Sequence, residues 1–536
     1  MLACGFPRIN RLGEEGAVEG VDRLVFVISD LHLGGVYPEP GSDDERGFRI
    51  CTRSDEVAAF LEALAGAPGD APAVDLVLNG DLVDFLAERD AGAAPWVPYT
   101  PDPDEAVAKL DTIVERDRAV FEGLGRVLEA GHRLTLLLGN HDIELALPKV
   151  RRRLEEHIGV RGRHAYRFIY DGEALVLGDA LIEHGNRYDR FNVVDYDGLR
   201  RVRSLMSRGQ EVPKKYRFEP PAGSRMVAEV VNPIKEQYRF IDLLKPETDG
   251  MIPVLLALEP GFRRILARVA GIARQASRHK LEEAALPSFG GDIASETAPA
   301  QDFGGDMGGG PIAPRQAASS SAELEPSQDE AALGEVLSDL LGADAQSFLE
   351  EIDATRGHGA ATAEIGSDIS TWETVDRSIG LAKLLFASGK DAVDERLPAL
   401  LRAVRVLQSE RAFDRSVETA GEYLGAAQEL ARGGIKHVVF GHTHLAKQVE
   451  LDSGGFYLNS GTWADLIHFP KEVVTGDDET ALRRLRPFVE DLAAGRLGEW
   501  LTFQPTFARL ELGDDGAVRS AEVRDWSGPE ALWKTD

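Results

Sequence analysis

The stretch LVFVISDLHLGG, Leu24 to Gly35, decides how the rest of the chain is read. Its apolar run has the character of a strand buried on both faces, the kind found in parallel sheets covered by helices. Yet the run passes through Ser29 into Asp30, and His32 follows one residue later. A buried strand that stops on a carboxylate and an imidazole raises the question of what they hold.

Other apolar runs stop in the same way. VDLVLNG (Val74 to Gly80) leads into Asp81-Leu82-Val83-Asp84, and RLTLLLGN (Arg133 to Asn140) leads into His141-Asp142. ALVLGDALIEHG (Ala174 to Gly185) carries His184, and GIKHVVFGH (Gly434 to His442) continues to Thr443 and His444. Helix-like stretches lie between the first runs: SDEVAAFLEALAG (Ser54 to Gly66), with a capping signal in Ser54-Asp55, and EAVAKLDTIVERDRAVFEGLGRVLEAG (Glu105 to Gly131). This alternation is that of βαβ units and an α/β class with a mainly parallel sheet. Ligands gather beyond the carboxyl ends of strands in such sheets, so these groups are candidates to converge on one crevice. In an extended or turning segment residues i and i+2 face one side, so Asp30 with His32, and His442 with His444, each aim two donors at a common place. Gly80, Gly139 and Gly441 relax the chain where it turns next to a ligand. The strand ends therefore predict a dinuclear metal centre.

The 536 residues are 43% hydrophobic and 28% charged, ordinary for a globular protein, with no apolar run long enough for a membrane span. Leu2-Ala3-Cys4 lacks the basic and apolar stretch of a signal peptide, and an ordinary unprocessed start is expected. Two cysteines, Cys4 and Cys51, make no disulfide framework, which fits a reducing cytoplasm. A net charge of −30 argues against broad binding of nucleic acid. Against that acidic background, the stretch from Gly185 to Lys280 holds 19 Lys and Arg against 11 Asp and Glu.

The chain divides into an N-terminal extension (1–20), a first α/β part (21–190), a mainly helical insertion (191–430) and a second α/β part (431–536). Within the insertion, Pro287 to Gln328 is rich in Gly, Pro, Ser and Ala and reads as a low-complexity linker. The late part contains GGFYLNSGTW and then TFARLELGDDGAVRSAEV, a hairpin turning at Gly513 to Gly516.

The blocks D-x-H, G-D-x-x-D, G-N-H-D, H and G-H-x-H, in this order, resemble the calcineurin-like metallophosphoesterase superfamily over about residues 22 to 190 and 430 to 525. The resemblance implies a four-layer sandwich of two mixed β-sheets flanked by helices, with the helical insertion outside the motifs. It implies that Asp30, His32, Asp81 and His444 hold one metal and that Asp81, Asn140, His184 and His442 hold the other. Two divalent ions, Mn, Fe or Zn, would share a hydroxide for in-line attack on phosphorus. His141 is implied as the catalytic histidine that serves the leaving oxygen, with Asp84 orienting its ring. An N-cap role for Asp84 stands beside that one. Glu183 is expected to face away from the metals, and the histidines outside the motifs belong to core or surface, with His279 a candidate phosphate contact.

Phe85 and Leu138 stand where protein phosphatases of the superfamily carry arginines, which argues against a protein phosphatase. SDLHLGG and GDLVDF look like the bacterial branch that includes UDP-2,3-diacylglucosamine hydrolases, although Asn140-His141-Asp142 departs from the G-N-R-D typical there. The expected activity is hydrolysis of a phosphodiester or pyrophosphate bond in a small, lipid- or nucleotide-linked substrate. Leu199 to Phe218 and Gly261 to Lys280 set arginines and lysines beside apolar faces, suited to seating phosphate oxygens or to peripheral contact with a membrane or lipid substrate. Two other classes remain open: a nuclease, which needs a continuous basic groove, and a non-catalytic metal-bound regulatory protein, which has little reason to keep His141 with all the ligands.

Overall fold

The computed structural model describes residues 21–36, 48–69, 71–89, 95–161, 165–236, 238–241, 243–245, 254, 257–258, 393–407 and 413–534. The N-terminal extension, the low-complexity linker, the basic stretch Gly261 to Lys280 and His279 lie outside the described residues.

The run that opens at Leu24 forms strand β1 (Arg23–Ile28) and sits inside a six-stranded sheet. The other members are β2 (Ala73–Asn79), β3 (Arg133–Leu137), β4 (Tyr166–Ile169), β12 (Thr506–Leu512) and β13 (Val518–Asp525), in the order β13-β12-β1-β2-β3-β4. β1 to β4 pair in parallel, whereas β12 runs antiparallel to both β1 and β13. The β12–β13 connection is the hairpin read from the sequence, its turn closed by Gly513 N donating to Ala517 O and Gly516 N to Gly513 O. The second sheet has five strands: β5 (Leu175–Leu177), β6 (Ala180–Ile182), β7 (His437–Phe440), β8 (Lys447–Glu450) and β9 (Phe456–Asn459), in the order β5-β6-β7-β9-β8. Its β6, β7 and β9 are parallel and its two edge strands antiparallel, so both sheets are mixed.

Alternation explains why β1 reads as continuously apolar. Leu24, Phe26 and Ile28 join the core on the sheet's outer face with helices Ser54–Ala65 and Arg118–Glu129. Val25 and Val27 join Val439, Leu458 and Ile182 in the layer between the two sheets. The outer face of the second sheet, with Val438, Phe440 and Tyr457, is covered by helix Gly421–Arg432. The layers are helix, sheet, sheet and helix, as the family resemblance implied.

Two local expectations change. The helical stretch from Glu105 to Gly131 is two helices, Pro103–Arg116 and Arg118–Glu129, parted at Asp117, whose buried carboxylate pairs with Arg49. Ser54-Asp55 does not cap the first helix: Arg53 holds the cap position, and Ser54 Oγ instead accepts from Arg49 Nη2 at 3.2 Å.

A separate apolar cluster gathers residues distant in sequence. Phe240, Leu244 and Val254 pack with helix Val393–Leu407 and with helices Lys471–Thr475 and Asp478–Ala493, together with Trp500. Strands β10 (Leu466–Ile467) and β11 (Leu501–Thr502) close the later segment into a loop, and Lys245 N donates to Ile467 O. Among the described residues, no helix is long and apolar enough to cross a membrane.

Candidate metal centre

Beyond its last residue β1 keeps pairing with the loop after β2. Asp30 N donates to Gly80 O (3.2 Å), His32 N to Asp81 O (3.0 Å) and Asp84 N to Leu33 O (2.8 Å). The D-x-H and G-D-x-x-D blocks are thereby one backbone unit. The late G-H-x-H block is tied on from the second sheet, with Gly441 N donating to His184 O and His442 N to Asp30 Oδ2, each at 2.9 Å. Thr462 Oγ1 holds Asp30 from below by donating to its carbonyl at 2.7 Å.

Asp30, His32, Asp81, His442 and His444 all have positive φ, between 44° and 70°. Among the described residues they are the non-glycine residues in that region. The i, i+2 pairs therefore converge through left-handed turns, not through the alternation of an extended chain. Such a conformation costs of order 1–3 kcal/mol per residue and persists only where the surroundings enforce it. Its confinement, among the described residues, to five predicted ligands marks this crevice as a place where the fold stores strain. Glycine is needed beside them for space: a Cβ on Gly441 would lie 2.7 Å from Asp30 Oδ2, and one on Gly80 2.5 Å from His184 Nδ1.

The side chains form two trios whose ligand atoms all lie within 4.8 Å of one another: Asp30, His32 and His444, and Asp81, His184 and His442. Asp81 also groups with His32 and His141, so it stands between the two. Nε2 of His32 lies 3.0 Å from Nε2 of His444, and Asp30 Oδ1 is 3.4 Å from the latter. His184 Nδ1 donates to Asn79 O at 2.7 Å, which turns Nε2 toward Asp81 Oδ2 at 3.1 Å. Asp30 Oδ1 and Asn140 Oδ1 are buried without a hydrogen-bond partner. Converging imidazole nitrogens and orphaned buried oxygens suit divalent cations bound by nitrogen and oxygen. The chain's residues fit such ions.

His141 reaches the same crevice from the loop after β3. Its Nδ1 donates to Asp84 Oδ1 at 3.1 Å and its backbone N to Asp81 Oδ1 at 2.8 Å. The same Asp84 oxygen also accepts from Leu86 N and Ala87 N and caps the short 3₁₀ turn Phe85–Ala87. Its other oxygen lies 3.5 Å from His32 Nδ1, so one carboxylate orients the catalytic candidate and a ligand.

Electrostatics follow from burial opposed by close opposite charge. Burial works to raise Asp30 and Asp81, but the surrounding histidines hold both carboxyls below the ordinary range. Burial works to lower His184, and Asp81 overrides it, raising the imidazole to about 9. His444 goes the other way, to about 3, driven by burial and then by the positive charge of Lys245. For His141, burial lowers and Asp84 and Asp81 raise, with a net upward shift.

Asp142 is read in the sequence only as the last residue of G-N-H-D, and Asp189 and Asn192 are given no role there. Asp142 anchors the loop, accepting from Gly139 N (2.7 Å) and Leu82 N (2.9 Å). Asp189 Oδ2 accepts from His442 Nε2 at 3.2 Å, and Asn192 Oδ1 from Asn140 Nδ2 at 3.4 Å. The polar run EHGNRYDRFN held the signal, a carboxylate and an amide a few residues past a candidate ligand. Glu183 takes Tyr188 OH at 2.6 Å and Arg187 Nε at 3.1 Å.

Residues 24–232 match the family model described as calcineurin-like phosphoesterase. The match does not extend to the finer resemblance to UDP-2,3-diacylglucosamine hydrolases. Neither the curated proteins nor the solved structures gave a match.

Proposed function

We propose that the chain hydrolyses a phosphodiester or pyrophosphate bond of a small substrate with the help of two divalent metal ions, a reading supported by the match of residues 24–232 to the calcineurin-like phosphoesterase family. The observation that carries this reading is the pair of ligand trios with Asp81 between them, built on five left-handed residues. When bound, the ions supply Lewis-acid activation of water and neutralise charge at phosphorus.

The chain's own residues do the rest. Asp30, His32 and His444 would hold one ion and Asn140, His184 and His442 the other, with Asp81 shared. Asp84 accepts the Nδ1 proton of His141 and leaves Nε2 to face the leaving group. Against the effect of burial, Asp84 and Asp81 raise the pKa of His141, which favours the protonated ring able to donate to the departing oxygen. Lys245, whose charge is felt at His444, brings positive charge toward the ligands from the segment beyond the family match, in keeping with an anionic substrate.

The test is protein stripped of metal, reloaded with Mn²⁺, Fe²⁺ or Zn²⁺, and assayed on aryl phosphate monoesters, diesters and nucleotide-sugar pyrophosphates. Turnover of a diester or pyrophosphate should return with metal, and His141→Ala should lose about 10²- to 10⁴-fold in kcat while keeping its ions. Metal-loaded protein inert toward all three classes, or His141→Ala with full turnover, overturns the reading.

A further inference from the structure

The two ion positions differ in what stands behind their ligands. Behind His32 is Asp84, already committed to His141. Behind His442 and Asn140 is a pair with no other catalytic duty, Asp189 and Asn192. Asn192 Nδ2 donates to Asp189 Oδ2 at 2.6 Å, the same oxygen that takes His442 Nε2 at 3.2 Å. Asn192 Oδ1 takes Asn140 Nδ2 at 3.4 Å. Each contact fixes which atom remains for a cation. With Nε2 engaged, His442 offers Nδ1; with its amide nitrogen engaged, Asn140 offers Oδ1, the buried oxygen that has no hydrogen-bond partner.

The pair is held from outside. Asn186 Nδ2 donates to Asn192 O (2.7 Å), Phe191 N to Asp189 Oδ1 (2.8 Å), and Gly223 N to Phe191 O (2.6 Å). Gly223 lies near the start of the helical run Ala222–Lys235, which begins as helix Ala222–Met226. A Cβ at position 223 would collide with Asn192 Oδ1, so the glycine lets this helix close against the pair.

We infer that Asp189 and Asn192 are positioning residues that set the affinity of one ion alone, the one held by Asn140, His184 and His442, and that the helix starting at Ala222 braces them. The inference rests on the dinuclear reading above. Hydrogen-bonded partners behind metal ligands typically change affinity 10- to 100-fold when removed, because they fix ring orientation and tautomer.

The experiment is calorimetric titration of metal-stripped full-length protein with Mn²⁺, with the spin-coupled Mn²⁺ pair followed by electron paramagnetic resonance. Wild type should take up two ions. Asp189→Ala and Asn192→Ala should keep one at wild-type affinity and bind the other about 10- to 100-fold more weakly, with the coupled signal delayed to higher Mn²⁺. Asp189→Asn, which still offers an oxygen to His442, should recover part of the loss. Gly223→Ala, through the collision with Asn192, should weaken the same ion. Two ions bound with wild-type affinity in both alanine variants overturns the inference, as does equal weakening of both ions. Uptake of fewer than two ions by wild type overturns the dinuclear reading itself, a separate result read from the unmutated protein.

Discussion

The strand-end loops and the helical cluster around Phe488 are made of opposite materials. Asp30, His32, Asp81, Asp84, Asn140 and His184 are polar or charged and at most 3% exposed, on backbone that includes all five left-handed non-glycine positions among the described residues. The cluster of Phe240, Leu244, Leu400, Leu485 and Phe488 is apolar, fully buried and free of such positions. Burying unpaired polar atoms and holding left-handed turns both cost stability, while burying aromatic and aliphatic surface supplies it. The molecule is thus stabilised by side chains other than those of the site, and stability and activity should separate on mutation.

Phe488→Ala is the strongest challenge to that separation. Phe488 is fully buried, with its ring centroid 5.1 Å from those of both Phe469 and Trp500. Its truncation should cost about 3–5 kcal/mol in denaturant unfolding. Below the unfolding range, kcat and metal uptake should stay near wild type. A tenfold fall in kcat in protein shown to be folded would mean that the cluster reaches the crevice, and the comparison would break.

Much of the strand-end region was legible because it obeys short-range rules. The runs that became β1, β2, β3 and β7 are apolar segments closed by ligand-type residues, and the hairpin at Gly513 to Gly516 is turn chemistry. The loop after β3 brings His141 within hydrogen-bond reach of Asp84 and Asp81. What stayed hidden depends on distance. Asp189 and Asn192 sit in a polar loop with no periodicity, and their meaning comes from His442, which lies 253 positions from Asp189. The packing of helix Val393–Leu407 on Asp478–Ala493 likewise joins segments whose amphipathic patterns do not name a partner. The left-handed turns were hidden for another reason: Asp and His carry no preference strong enough to announce them, so they arise from the crossing of two loops.

A pH-dependent test of the same division comes from Glu144. It is fully buried in the turn Ile143–Ala146, just past His141, where it accepts from Thr100 N at 2.7 Å. Burial raises its carboxyl from 4.5 to about 7, against the opposing pull of Thr100 N and Lys109. The folded state therefore prefers the neutral acid. The group's contribution to stability is intact below about pH 4.5 and is lost as pH rises toward 7. Glu144→Gln removes that loss, so the variant's advantage in ΔG of unfolding should grow by up to about 3 kcal/mol between pH 4.5 and pH 8. Denaturant melts of both proteins across that range measure it. An offset independent of pH would show that burial of Glu144 carries no such penalty.

The smallest effect is expected where a helix holds a glycine for no geometric reason. Gly425 is exposed in the middle of helix Gly421–Arg432, with nothing within 4 Å of where a Cβ would stand. Alanine there restricts the unfolded chain and suits the helix, so Gly425→Ala should raise stability by about 0.5–1 kcal/mol and leave metal uptake alone. The same one-carbon change at Gly441 meets Ser29 Oγ and Asp30 Oδ2. A thermal melt together with a Mn²⁺ titration of Gly425→Ala therefore asks whether the helices tolerate improvement that the crevice does not. If Gly425→Ala lowers stability or weakens an ion, helix Gly421–Arg432 is coupled to the ligands through β7, and the line between the two regions must be drawn elsewhere.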